Sequence, residues 1–455
     1  MKKSIIFALL LLPVCAGAQL APEVSTGTEA ALSASGAAAE LESKASVAKS
    51  AVDTFNDNTH RPAAPAGKYQ LMGTLDLYGG QYFFGGQSGA LNGYGVLNAE
   101  LAKSYSSSYG YYLSLNSVYT GFKQVNELAG GGTLFQQSLD NSLGLKWIKR
   151  YDGGYALKPH VGVTSELFRE TKDEKWGQGL YDFTRYEAGL TLERKTRAGF
   201  EVPWTYQLSW DAYYTRYTRF KSLASEYGAE LAAPDPGSRV LDAVTNQFSY
   251  YNEWDLPGFA KAEALASLAV TGYPEQKVIN SAGTYLPSTR SDYYELLTLS
   301  ISKRYSDAEI LGGIRPVAGF GLTFDDQVSN QNHLDTEPAH LKFIRSFYDY
   351  YETTLSPTLM LTSVSSGFVL SANYNFTARW YPDRLTQTTA GSYTGDKLRQ
   401  YTCDFGLEAS YPITASLDAR LRTDWSLSRS NNRYEQVYRY NYDSSTYFAG
   451  IEWRF

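Results

Sequence analysis

Three observations predict an all-β chain that closes as a transmembrane, antiparallel up-and-down β-barrel of about 16 strands. Short segments alternate apolar and polar residues from Gly67 to Phe455. The links between those segments alternate short and long. Beyond Ala18, no apolar run approaches the roughly 18 residues that a membrane helix requires. Successive side chains of an extended strand point to opposite faces, so alternation gives each strand one apolar and one polar face. A chain rich in Tyr (38) and Gly (39), with a mean hydropathy of −0.35, suits a greasy outer belt around a polar interior.

Residues 1–18 read as a cleavable secretory signal peptide. Lys2 and Lys3 are positive, Ile5 to Leu12 form the apolar stretch, and Ala16-Gly17-Ala18 offers small residues before Gln19. Acylation at Cys15 would need a small residue before it, and Val14 stands there. With the signal removed, Cys403 is the only cysteine, so no intramolecular disulfide can form. Residues 19–66 are rich in Ala, Ser, Thr and Glu and end on Arg61-Pro62-Ala63-Ala64-Pro65, a linker composition. Two states are open to this segment: a flexible leader, or a helix that plugs a lumen or docks on a partner.

The barrel region covers 67–455. In the first strand Tyr69, Leu71, Leu75 and Leu77 alternate with Lys68, Gln70, Thr74 and Asp76. Leu97, Ala99 and Leu101 mark the second, Tyr111 to Leu115 the third, Leu143 to Trp147 the fourth and Tyr155 to Val163 the fifth. Tyr186 to Leu192 and Trp204 to Tyr214 follow, then a weaker pattern at Phe248 and Tyr250. Ala264 to Val270, Leu297 to Ile301, Ile314 to Phe324 and Leu355 to Leu361 come next. Phe368 to Trp380, Tyr401 to Tyr411, Leu417 to Leu427 and the terminal strand complete the set. Links after even-numbered strands are short, as at Ser106-Ser107-Ser108, Tyr151-Asp152-Gly153-Gly154, Ser306-Asp307 and Pro412. Links after odd-numbered strands are long, notably Phe220 to Asp242, Tyr273 to Arg290, Asp325 to Tyr351 and Pro382 to Lys397. A soluble sandwich would hide its apolar faces between two sheets. Here aromatics gather near strand ends, and Tyr78, Phe84, Tyr109, Trp204, Tyr214, Trp380, Tyr411 and Trp453 are expected in two girdles.

The last nine residues, Tyr447-Phe448-Ala449-Gly450-Ile451-Glu452-Trp453-Arg454-Phe455, alternate without a break and stop on an aromatic. At the end of a secreted chain of such strands, this pattern resembles that of bacterial outer-membrane β-barrels, over roughly Gly67 to Phe455. The resemblance implies the outer membrane of a bacterial cell, with short turns in the periplasm. It implies contact with outer-membrane lipid and lipopolysaccharide. It also implies that Tyr447, Ile451, Trp453 and Phe455 belong to the signal read by the barrel-assembly machinery. Porin-like passive diffusion of small hydrophilic solutes is the leading expectation, with a homo-oligomer as porins often form. The alternative is a non-enzymatic surface barrel for adhesion, ligand capture or protein export.

If the apolar rows meet lipid, their neighbours line the lumen. Asp418, Arg420, Arg422 and Asp424 alternate with Leu417, Ala419, Leu421 and Trp425, and nearby strands add Asp404, Glu408, Glu452 and Arg454. Lys158, His160, Asp211, Arg315 and Arg379 fall on the same phase. Such charges form either a field that sorts solutes in a pore eyelet or an ion-pair network that braces the wall. The Asp325 to Tyr351 segment, with Leu341, Phe343, Ile344 and Phe347, is the candidate for a loop that narrows the pore; its alternative is an outer helix or binding tip. No catalytic residue is assigned: His160 lies on the polar phase beside Ser165, and His333 beside Asp335 lacks a second acidic pair. His333, Asp335, Glu337 and His340 read as a solvated loop rather than a metal site, and no cofactor fingerprint occurs. A net charge of −6 argues against nucleic acid as a partner.

Overall fold

The computed structural model describes residues 69–89, 91–121, 137–169, 171–220, 239–305, 313–335, 341–435 and 439–455. The signal at 1–18, the leader at 19–66, Lys68, His60, Glu337, His340 and the Ser306-Asp307 turn lie outside them.

Sixteen long strands form the wall. They are β1 (Tyr69–Phe84), β2 (Asn92–Ser106), β3 (Tyr109–Thr120), β4 (Gln137–Tyr151), β5 (Tyr155–Arg169), β6 (Phe183–Arg197), β7 (Pro203–Tyr217) and β8 (Ala243–Leu256). They continue as β9 (Ala260–Ile279), β10 (Tyr285–Arg304), β11 (Ile314–Ser329), β12 (Tyr350–Ser363), β13 (Val369–Gln387), β14 (Tyr393–Pro412), β15 (Leu417–Ser430) and β16 (Tyr442–Arg454). Each strand pairs antiparallel with its successor, and β16 returns to β1 with Thr74 opposite Arg454 and Phe84 opposite Ser444. Closure leaves no sheet edge, which hydrocarbon could not tolerate. The terminal backbone joins the ladder too, since the Phe455 N–H donates to the Gly73 carbonyl at 3.0 Å.

The two faces differ as the alternation requires. Leu71, Val161, Leu208, Trp210, Phe248, Leu299, Phe320, Leu421 and Trp453 stand exposed on the outside. Between them Lys158, His160, Asp211, Gln247, Ser267, Asp418 and Glu452 are buried on the inside. An exposed apolar wall of this extent marks a surface that meets lipid. The protein is a closed, sixteen-stranded antiparallel β-barrel with an apolar exterior suited to lipid.

Tyr78 and Phe84 depart from the girdle expectation. Both are buried on the inner face with Tyr82. The Tyr78 ring lies so close to Gly450 that a Cβ there would approach it to 2.7 Å, and Phe84 stacks on Tyr442 with ring centroids 5.4 Å apart. Glycines at the closing seam therefore make room for rings inside.

Two expected long loops are instead strand. β9 and β10 continue to Ile279 and Tyr285, and β13 and β14 to Gln387 and Tyr393, so these hairpins rise tall at the loop end. The pairing shifts between Gly272 and Lys277 and between Trp380 and Leu385, where Pro274 and Pro382 sit. Proline lacks the N–H that a ladder needs, so each breaks the register locally and the strand resumes beyond it.

Candidate functional site: the inner wall

Two stretches of the inner wall carry the chemistry. The first spans β14, β15 and β16. Arg454 straddles Asp418, with Nη1 to Oδ2 and Nη2 to Oδ1 both at 2.8 Å, and also reaches Glu452 Oε1 at 2.7 Å. Arg420 joins Glu408 at 2.6 Å to Glu452 on the other side. Arg422 Nε holds Asp424 Oδ2 at 2.9 Å, and the Thr446 hydroxyl donates to the same oxygen at 3.1 Å. Opposed charges thus pair side by side along the wall, and Arg422, Asp424 and Arg454 stay roughly two-fifths exposed. Two-point guanidinium–carboxylate contacts fix geometry as well as charge.

The second stretch covers β5 to β9. Lys158 Nζ lies 2.9 Å from Glu193 Oε2, and the Gln207 amide donates to that oxygen at 3.2 Å. His160 Nε2 lies 2.7 Å from Asp211 Oδ1. Gln247 and Ser249 bond Ser267 at 3.1 and 3.0 Å, and the Tyr213 hydroxyl donates to Gln247 at 3.2 Å. These groups are nearly all buried.

The remaining candidates scatter. Arg379 binds Glu352 at 2.6 Å with its guanidinium 4.4 Å above the Tyr350 ring. Asp404 pairs in register with Asn375 and Ser426, and Arg315 lies exposed near the turn end opposite Thr362. Tyr447, Ile451, Trp453 and Phe455 are exposed on the outer face.

The Asp325 to Tyr351 segment forms no helix among its described residues. β11 runs on to Ser329, and His333–Asp335 pairs with Lys342–Ile344 as a small antiparallel ladder. It is clasped between the tall hairpins. Asn332 donates to the Ile279 carbonyl at 2.8 Å on one side, and Tyr393 donates to Asp335 at 2.8 Å on the other. Ile344 is buried, the His333 ring packs on Phe347 at 4.4 Å, and Arg384 covers Phe347 at 4.2 Å. Burial and the Arg384 charge hold the His333 pKa down to about 4, with Asp335 opposing them. Burial raises Asp349 to about 6. The clasped ladder escaped the sequence reading because its partners come from hairpins far away in the chain.

No protein-family model matches this sequence, and no curated protein does. Among solved structures it is similar to CdiB from Acinetobacter baumannii (10% identity, TM-score 0.45, 85% of this chain and 60% of that one). It is also similar to in-vitro folded OmpT of Vibrio cholerae in its trimer form (10% identity, TM-score 0.40, 86% and 100%). A third is OpdL of Pseudomonas aeruginosa (11% identity, TM-score 0.35, 85% and 99%). Identities this low transfer no residue's role.

Proposed function

We propose that this barrel is a porin-like channel that admits small hydrophilic solutes by passive diffusion along a charged lumen. The supporting observation is the half-exposed Arg–carboxylate ladder on β14 to β16, where charge of both signs faces the interior. A barrel of about 16 strands is wide enough for an aqueous path. The ladder ties neighbouring strands together, so its charges stay on the wall and bias passing ions. Steady ionic current in planar bilayers is the expected result; a barrel without conductance would overturn the reading. Removing residues 19–66 asks separately whether the leader reduces that current.

A second reading, a surface barrel that captures a ligand or partner, draws on the clasped ladder and tall hairpins at the loop end. It predicts almost no current. The channel reading involves no catalytic step. Ser165 and His160 are five residues apart on one strand and so face opposite sides of the wall. Cleavage of residues 1–18, recognition of the terminal strand by the assembly machinery, contact with lipopolysaccharide, and a homo-oligomer belong to the same proposal.

A further inference from the structure

We propose that His160, Glu187 and Asp211 bind one divalent transition-metal cation on the inner wall, midway along β5, β6 and β7. The strand register builds the site. His160 stands opposite Gly189, and Gly189 stands opposite Asp211, so the three positions form one row across three strands. Because Gly189 has no side chain, the imidazole and the carboxylate meet directly above its backbone. A Cβ there would lie 2.1 Å from Asp211 Oδ1 and 2.5 Å from His160 Nε2. Glu187 follows two residues earlier on the same face and brings Oε1 to 3.5 Å from His160 Nε2. One donor atom from each residue falls within 4.8 Å of the others.

Two further observations point to a cation. Asp211 is 1% exposed, yet its Oδ2 is buried with no hydrogen-bond partner. A buried carboxylate oxygen left alone is uncommon and asks for a partner. The nearby Lys158 ammonium lies 2.9 Å from Glu193. In addition, His160 Nδ1 faces the Lys158 carbonyl at 3.4 Å. A ring that donates there turns the Nε2 lone pair toward two carboxylates, three electron-rich atoms that a positive charge reconciles. One imidazole nitrogen and two carboxylate oxygens suit zinc and neighbouring first-row divalent ions. An all-oxygen cage would suit calcium or magnesium better. The rival occupant is a proton, which would make the group an imidazolium–carboxylate clasp.

The test uses the untagged full-length protein, extracted folded from outer membranes and stripped with chelator. Titration with zinc chloride at neutral pH is expected to show one equivalent bound. His160→Gln and Asp211→Asn should each weaken it at least tenfold, while His333→Gln leaves it unchanged. X-ray absorption of the one-to-one complex should show a single imidazole with oxygen donors. That spectrum on the unaltered protein decides the matter even if a variant fails to fold, which heat-modified gel mobility would reveal. No zinc bound, affinity unchanged in both site variants, or a shell of two or more imidazoles would overturn the proposal. None of these outcomes depends on whether the barrel conducts.

Discussion

The inner wall of β5 to β9 and that of β14 to β16 are built from the same alternation but solve different problems. Along β5 to β9 the buried groups bond across strands: Lys158 and Gln207 to Glu193, Ser209 to Thr191, and Gln247 to Ser267. Along β14 to β16, Arg420, Arg422 and Arg454 pair with carboxylates yet keep part of each side chain exposed. Buried polar groups must find partners within the wall, because an unsatisfied one costs about 1–3 kcal/mol. Half-exposed ions are screened and gain little from pairing, on the order of 1 kcal/mol or less. The first stretch therefore stiffens the barrel, and the second presents charge to whatever the lumen holds.

The largest expected effect comes from ignoring the phase altogether. Leu421 stands exposed on the outer face beside Arg422 on the inner face. Leu421→Arg should destabilise the folded barrel by about 2–4 kcal/mol in lipid, and Arg422→Leu by much less. Equilibrium unfolding in liposomes measures both, and equal losses would break the assignment of faces.

Next comes the buried stretch. Gly189→Val should cost about 1–3 kcal/mol, because the new side chain has to displace His160 and Asp211. The same unfolding assay reads it, and a neutral result would mean that the row is looser than its distances imply.

On the exposed stretch, Arg422→Gln should leave stability within about 1 kcal/mol while freeing Asp424 from its cation. Reversal potentials in a salt gradient should then shift toward cation selectivity. An unmoved potential would show that solutes do not sense this ladder.

The smallest effect concerns the clasped ladder at the loop end. His333 has its pKa lowered from 6.5 to about 4, so the opened segment binds the proton more readily. Its contribution to closure is full above pH 6.5 and is lost as pH falls toward 4. Asp349, raised from 3.8 to about 6, acts with the opposite sign, favouring closure as pH falls from 6 toward 3.8. Protection of the Ser346 amide, which donates to Asn332, relative to its intrinsic exchange rate at each pH should vary little with pH in the native chain. In His333→Gln that protection should rise on acidification, because only the Asp349 contribution remains. Protection that falls on acidification in the variant would contradict this balance.

The strand phase was legible in the sequence because hydrocarbon excludes charge, which forces Leu417, Ala419 and Leu421 away from Asp418, Arg420 and Arg422. The strand count followed from the same rule and the link lengths. Tyr78 and Phe84 were misread because aromatic residues near a strand end look alike whether they face lipid or a glycine-lined seam. Pro274 and Pro382 looked like strand ends, whereas the ladder shifts register and continues past them. The meeting of His160 with Asp211 depends on a register between strands that local spacing does not encode. Its one sequence signal was Gly189 in the middle of an apolar-patterned strand, a mark of close approach.

The most direct test places single cysteines at neighbouring positions on β15 in a Cys403→Ala background and exposes the folded barrel in liposomes to a charged, water-soluble thiol reagent. Arg422→Cys should react quickly and alter ionic current, while Leu421→Cys stays protected by lipid. Reaction at Leu421→Cys with protection at Arg422→Cys, or equal labelling of both, would contradict a wall whose greasy side faces the membrane and whose charged side faces water.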